Sequence, residues 1–304
     1  MMLLRNNIRY FIPKLVQHWI YKRAETCAQE VVPNLKVWSR NSFKLGSFVF
    51  AVSDLDLTVY GKKVSGIDWF KSIQKIKMFY KFIGEINLYD EDHLSLVIPR
   101  MNKYELKRDP VLASVVEKGI IVDYNDEIEK IVFLLRLLHS DKRLELEPKL
   151  RLRKWQEHWL SLGFGEINSF SRKGLLNKIK ELLRGDEFLT QGLLSWDKVH
   201  AEQIDIYHYN FLPGFSILFP HFHSWFEDEH EIESIQKWSL FQHQILKRQI
   251  DWEFWGIYTQ RFYLPQEIYE NHLERLLKVY RIIANDREYE QAVAVFALIK
   301  IYNN

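Results

Sequence analysis

The segment Val52-Ser53-Asp54-Leu55-Asp56-Leu57-Thr58-Val59-Tyr60 constrains the fold of this chain more than any other. It alternates and is rich in Val, Leu, Thr and Tyr, so it predicts a β-strand that Gly61 ends. Successive side chains of a strand point to opposite faces, which puts Asp54 and Asp56 together on one face and Leu55 and Leu57 on the other. Such a strand belongs in a sheet with one face against a core and the other polar. Two carboxylates on one rigid face are suited to Mg²⁺, which takes a few carboxylates together with water and phosphate oxygens.

The surrounding pattern changes near residue 125. Before it, short β-rich runs alternate with helical ones. A helix is expected over about 8–29, ending near Pro33, and a short strand over 35–38. Residues 42–49 read as a turn opening a short helix. Helical spacing at Ile67, Phe70, Ile73, Ile76, Phe79 and Tyr80 predicts a helix over 67–82. Glu85-Ile86-Asn87-Leu88 reads as a second strand after Gly84, and 94–99 as a strand or a helix end. A helix over 110–118 is closed by Gly119, and Ile120 to Asp123 reads as a last strand. Alternating helix and strand of this kind implies helices layered on a sheet.

After residue 125 nearly every segment has helical periodicity. Asn125 is a candidate N-cap, with Asp126, Glu127 and Glu129 in a first turn where acid suits the helix dipole. A helix over 128–138 follows, and others are expected at about 149–161, 172–184, 233–250, 266–283 and 286–302, with an aromatic loop over 205–225. The fold class expected is α+β: a β-sheet core with an N-terminal helix over 1–125, then a mostly α-helical domain over 126–304.

Composition narrows the class without deciding it. The chain has 304 residues, enough for a sizeable core, and a net charge of +2, so its total charge demands neither nucleic acid nor an anionic membrane. Its single cysteine, Cys27, allows no intrachain disulfide and reads as an inert thiol. The N-terminal stretch is interrupted by Arg5, Arg9, Lys14 and His18 and does not read as a signal peptide. Leu4, Ile8, Phe11, Leu15, Trp19 and Ile20 fall on one helical face, expected to dock on the protein's own core. No stretch is long and uncharged enough to span a bilayer, and a cytoplasmic protein is expected.

Gly46-Ser47 lies upstream of the aspartates, in the turn after Leu45. Glycine lets a backbone approach a phosphate closely, a helix N-terminus attracts the anion, and a serine hydroxyl adds a hydrogen bond. Leu45-Gly46-Ser47 followed by Ser53-Asp54-Leu55-Asp56-Leu57 resembles the signature of the DNA polymerase β-like nucleotidyltransferase superfamily. That signature is a hydrophobic residue, Gly, Gly or Ser, a spacer, and Asp-hydrophobic-Asp-hydrophobic. The spacer here, Phe48 to Ser53, is shorter than the family's. The resemblance covers about 30–125 and implies a mixed-sheet nucleotidyltransferase core. It implies that Asp54 and Asp56 bind two Mg²⁺, that Gly46 and Ser47 hold a nucleoside triphosphate such as ATP, and that a third carboxylate on a following strand completes the site.

Glu85 stands where that strand is expected, and Asp90, Asp92 and Asp123 are alternatives. The implied activity is transfer of a nucleoside monophosphate to an acceptor hydroxyl, the acceptor being a small molecule, RNA or protein. The alternative is a non-catalytic nucleotide-binding or interaction protein with a degenerate transferase core.

Other clusters carry blander readings. His221, His223, Asp228 and His230 suggest zinc but lie among Phe and Trp without a regular ligand spacing, so packed histidines are expected. Lys142, Arg143, Lys149, Arg151, Arg153 and Lys154 form a basic run beside Trp155 and Trp159, diluted by Glu145, Glu147 and Glu157, and it reads as a solvated helical face. Lys62 and Lys63 read as a solvated turn.

Overall fold

The computed structural model describes residues 13–40, 54–62, 82–103, 109–120, 124–139, 235–261 and 266–301, with isolated positions between them. Helix α1 (Lys14–Val31) starts after Pro13 and buries Tyr21, Ala24 and Ala28. These positions share one stripe of the helix, and the two alanines let its backbone lie close to the sheet. The face expected to dock is displaced: Leu15 is 85% and Trp19 64% exposed. The apolar cluster meets α1 from Ile20 onward, so the first turns extend past the surface that would cover them.

Strand β1 (Lys36–Ser39) pairs antiparallel with β2 (Leu55–Gly61), and β2 pairs parallel with β3 (Ile83–Asp90), giving a mixed sheet in the order β1-β2-β3. A parallel pair needs a crossover long enough for a helix. Of the helix expected over 67–82, Lys75, Ile76 and Met78 are described and helical, and Ile76 is buried in the apolar cluster. One sheet face, Leu55, Leu57, Val59, Ile83, Ile86 and Leu88, packs with the buried residues of α1.

An exposed strand edge invites unwanted pairing, and helices cover both edges here. On β1, the Gln29 side chain donates to the Leu35 carbonyl at 2.5 Å and accepts from the Val37 N–H at 2.8 Å, and Glu25 accepts from the Ser39 N–H at 2.8 Å. On β3, the Asp90 N–H donates to the Tyr258 hydroxyl at 3.2 Å, and Arg261 donates to the Leu88 carbonyl at 3.2 Å. Both residues sit at the C-terminal end of helix α5 (Leu240–Gln260) and just beyond it.

The strand expected over 120–123 is not formed at its described positions. Ile120 and Val122, its described positions, lie outside the sheet and pack against the large apolar cluster. Residues 94–99 are helical: a short helix α2 (Leu94–Val97) lies between the 3₁₀ turns Glu91–His93 and Ile98–Arg100. Helix α3 (Pro110–Glu117) starts at the Asp109 cap, with Pro110 in its first turn, and Gly119 follows it at φ +142°.

Helix α4 (Asp126–His139) is capped by Asn125 as expected, its side-chain oxygen accepting from the N–H groups of Glu127 at 3.0 Å and Ile128 at 3.2 Å. The helix expected over 233–250 instead runs over 240–260, because Ser239 and Gln242 form a reciprocal capping box. Its second half is buried nearly all round (Trp252, Phe254, Trp255, Ile257, Tyr258), so helical periodicity fades there and marks the end too early. Helices α6 (Gln266–Ile283) and α7 (Asp286–Ile301) complete the described residues and pack on α5.

Arg248 of α5 ties the parts together. It donates to the carbonyls of Pro99 at 3.0 Å and Met101 at 2.7 Å, pairs with Glu129 of α4, and lies 5.1 Å from the Tyr124 ring centre. Among the described residues no helix is long and apolar enough to cross a membrane.

Candidate functional site

The second sheet face carries Trp38 and Arg40 from β1 and its end, Asp56, Thr58 and Tyr60 from β2, and Asn87 and Tyr89 from β3. It is graded. Tyr60 and Tyr89, at the C-terminal ends of β2 and β3, join the large apolar cluster with α5. The other end is charged. Asp54, just before β2, is exposed and Asp56 half-buried, while Leu55 and Leu57 are buried, as the alternation requires.

Glu85 reaches this face through an irregularity in β3. The register pairs Leu55 with Ile83 but Leu57 with Ile86, so Gly84 and Glu85 both lie opposite Asp56. One extra residue makes a β-bulge, which re-aims side chains. Without it, Ile83 and Ile86 would point to opposite faces. With it, both enter the apolar cluster, and Glu85 and Asn87 fall on the face of Asp56 and Thr58.

Gly84 allows the close approach. A Cβ there would stand 2.6 Å from Asp54 Cβ and 2.8 Å from Asp56 Oδ1. The Glu85 N–H donates to Asp56 Oδ1 at 3.2 Å, orienting that carboxylate over the bulge.

Arg40 anchors the network on the inner side. Its backbone N–H donates to the Asp56 carbonyl at 3.0 Å, continuing the β1–β2 ladder, and its guanidinium, 2% exposed, pairs with Glu85 Oε2 at 2.5 Å. In the amide orientation that satisfies both neighbours, Asn87 donates to Glu85 Oε1 at 3.1 Å and accepts from the Arg40 Nη atoms at 3.0 and 3.1 Å. Deeper still, Asp109 accepts from Thr58 Oγ1 at 2.7 Å, Trp38 Nε1 at 2.8 Å and the Leu112 N–H at 3.3 Å, so one carboxylate caps α3 and pins it to the sheet. Burial raises the Asp109 carboxyl above its ordinary range; those hydrogen bonds and the nearby Arg40 charge offset part of the rise.

The expected residues are therefore partly assembled. Asp54 and Asp56 stand against Gly84 and the Glu85 N–H reaches Asp56, while the Glu85 carboxylate is engaged by Arg40 and Asn87 and the three carboxylates are not gathered into one group. Gly46 and Ser47 lie outside the described residues, as do Asp123, Lys63, the cluster His221, His223, Asp228 and His230, and the basic run over 142–154. Asp90 lies four residues beyond Ile86, roughly 13 Å along the strand, and pairs with Arg261 at 2.9 Å. Asp92 sits in the 3₁₀ turn after β3. Cys27 is half-buried and accepts a hydrogen bond from the Tyr80 hydroxyl at 2.9 Å.

Arg40, Asn87 and Asp109 carry no motif that singles them out. The trace of Arg40 in the sequence is its place after β1, in phase with Trp38.

Carboxylate oxygens are the ligands a hard divalent cation takes, and Asp54 and Asp56 are open to solvent, so the pair suits such an ion. Among the described residues no group of three or more His, Cys, Asp or Glu side chains is gathered to hold a metal. Comparison with protein families, with curated proteins and with solved structures finds no match to this chain.

Proposed function

We propose that this protein is a Mg²⁺-dependent nucleotidyltransferase that moves a nucleoside monophosphate from a nucleoside triphosphate to an acceptor hydroxyl. The observation that carries this reading is the bulge at Gly84-Glu85, which sets Glu85 opposite Asp56 on the polar face of the sheet, its backbone N–H donating to Asp56 Oδ1 at 3.2 Å. The shared face of Asp54 and Asp56 and the resemblance of Gly46-Ser47 to a triphosphate-holding turn support it.

Asp54 and Asp56 would hold the metal, with Glu85 as third ligand. Bound there, Mg²⁺ neutralises charge on the triphosphate and on leaving pyrophosphate, the usual electrostatic contribution in phosphoryl transfer. The chain's own part is positioning. The β2 backbone fixes the direction of Asp56, with Asp54 just before the strand, the Glu85 N–H orients Asp56, and Gly46 and Ser47 would seat the triphosphate. In this reading Glu85 would also accept the attacking hydroxyl's proton. The acceptor is a small molecule, RNA or protein.

Asp54→Ala and Asp56→Ala are each expected to abolish incorporation of labelled nucleotide into acceptors from cell extract, with circular dichroism unchanged. Incorporation at the wild-type rate in either variant would overturn the assignment.

A second reading is favoured by one observation: Glu85 Oε2 already lies 2.5 Å from Arg40. In a non-catalytic relative of such enzymes, that ion pair would hold the sheet face together in place of a metal. Calorimetry with nucleoside triphosphates separates the two. Mg²⁺-dependent binding belongs to the enzyme, and no binding with or without Mg²⁺ belongs to the interaction protein.

A further inference from the structure

Helix α1 is fixed by its inner side. Tyr21, Ala24 and Ala28 are buried, and the buried Phe43 ring stacks on His18 and Tyr21, with ring centres 5.0 and 5.3 Å apart. The outer side of its first turns is apolar and open to solvent, with Leu15, Val16 and Trp19 all exposed. In a helix of about 3.6 residues per turn these three fall within ~100° of arc, opposite Ala24 and Ala28. Lys22 and Arg23 continue the same side, roughly 6–10 Å further along the axis. Both are exposed, and they pair with Glu25 at 2.7 Å and Glu30 at 3.3 Å. The Arg23 pair is exposed at both ends, and such pairs contribute little.

The charge around this face is one-sided. Through Arg23 the sequence holds Arg5, Arg9, Lys14, Lys22 and Arg23 and no Asp or Glu. The first turn of α1 lacks the acid that would suit its dipole. Leu15 and Val16 come first along the exposed side, then Trp19, then Lys22 and Arg23. That order matches the depth profile of a bilayer surface, where acyl chains, the headgroup level favoured by Trp and the lipid phosphates follow one another.

We propose that this face of α1 docks the protein peripherally on an anionic membrane. Leu15, Val16 and Trp19 enter the boundary between headgroups and acyl chains, and Lys22 and Arg23 meet lipid phosphates. The attachment is reversible and needs both contributions, because a few apolar side chains or a few cations alone hold a protein only weakly. It does not depend on the transfer chemistry proposed above.

The test is flotation of the full chain with lipid vesicles. Wild type is expected to float with vesicles of equal parts phosphatidylcholine and phosphatidylglycerol. It should stay behind with phosphatidylcholine alone, and high salt should release it by screening the attraction. Leu15→Ser/Trp19→Ser is expected to lower the partition coefficient about tenfold, and Lys22→Gln/Arg23→Gln by a similar factor. All four positions are exposed, so circular dichroism should be unchanged in both variants.

Failure of wild type to float with the anionic vesicles overturns the proposal. Flotation that both double variants retain also overturns it, because another surface then carries the binding. Equal binding to phosphatidylcholine alone overturns the role of Lys22 and Arg23. A dimer seen by size exclusion that Leu15→Ser/Trp19→Ser dissolves, without flotation of wild type, assigns the face to a second copy of this chain instead.

Discussion

At the scale of single residues, one carboxylate shows how burial and hydrogen bonding compete. Asp109 is 1% exposed and accepts from Trp38, Thr58 and Leu112, yet burial is the larger influence and leaves its carboxyl raised. The folded chain then binds more protons at this site than the unfolded chain, between the ordinary value of 3.8 and the raised one. Stability from this group is fully present below 3.8 and is lost as pH climbs through the raised value. Asp109→Asn keeps the shape and does not titrate. Urea unfolding of both proteins across this range should show wild-type stability falling relative to the variant as pH rises. A pH-independent difference would show that the hydrogen bonds fully offset the burial.

At the scale of elements, the bulge in β3 connects packing to chemistry. Ile83 and Ile86 are three residues apart, and an unbroken strand cannot send both into one core. The extra residue resolves the conflict and turns Glu85 to the polar face. Gly84 is the residue that permits it, since any Cβ would press on Asp54 and Asp56. Gly84→Ala is expected to destabilise the fold by about 1–3 kcal/mol, the usual cost of overpacking. Under the proposed function it should also lower nucleotide transfer by pushing the two aspartates apart. Thermal unfolding and nucleotide incorporation measured together check this, and a fully active, fully stable Gly84→Ala protein would contradict the close approach.

The start of an element was legible in the sequence where a capping residue stands out, as Asn125 does before α4. Helix α3 begins at Pro110 as expected, on a cap from Asp109 that the sequence did not single out. The start of α5 was not legible: the helix was expected from 233, and the reciprocal box of Ser239 and Gln242 sets it at Leu240. Its continuation to Gln260 was not legible, because burial on all sides erases the periodicity that marks a helix. The exposed Leu15 and Trp19 show the converse: an apolar stripe identifies a helix but does not say which turns of it the core reaches.

At the scale of the whole molecule, one buried arginine just beyond α5 ties the later helices to the sheet. Arg261, 0% exposed, pairs with Asp90 at 2.9 Å and lies 4.1 Å from the Tyr258 ring centre. His93 Nδ1 stands 3.2 Å from the same carboxylate. Removing one member of a buried pair leaves the other charge uncompensated, so Arg261→Met is expected to cost about 3–5 kcal/mol. The double variant Arg261→Met/Asp90→Leu should recover a large part of that loss in urea unfolding. If both variants lose stability equally, the backbone bond from Arg261 to Leu88, and not the charge pair, is what α5 contributes to the edge of β3.

The sequence by itself determined the local features of this protein: the strand that carries Asp56, with Asp54 just before it, the helix capped by Asn125, and a mixed α+β composition with helices after residue 125. Each follows from alternation, helical periodicity or a cap within a few residues, and such signals survive without knowledge of the neighbours. Only the tertiary structure decided that Glu85 turns toward Asp56 and that its carboxylate is held by Arg40 and Asn87. It also decided that Ile120 and Val122 pack on the large apolar cluster outside the sheet, and that Tyr258 and Arg261 bond the edge of β3. The first of these depends on how β2 and β3 pair. The others depend on which side chains and helices fill the space beside the sheet, and contacts between residues tens of positions apart leave no periodic trace in the chain.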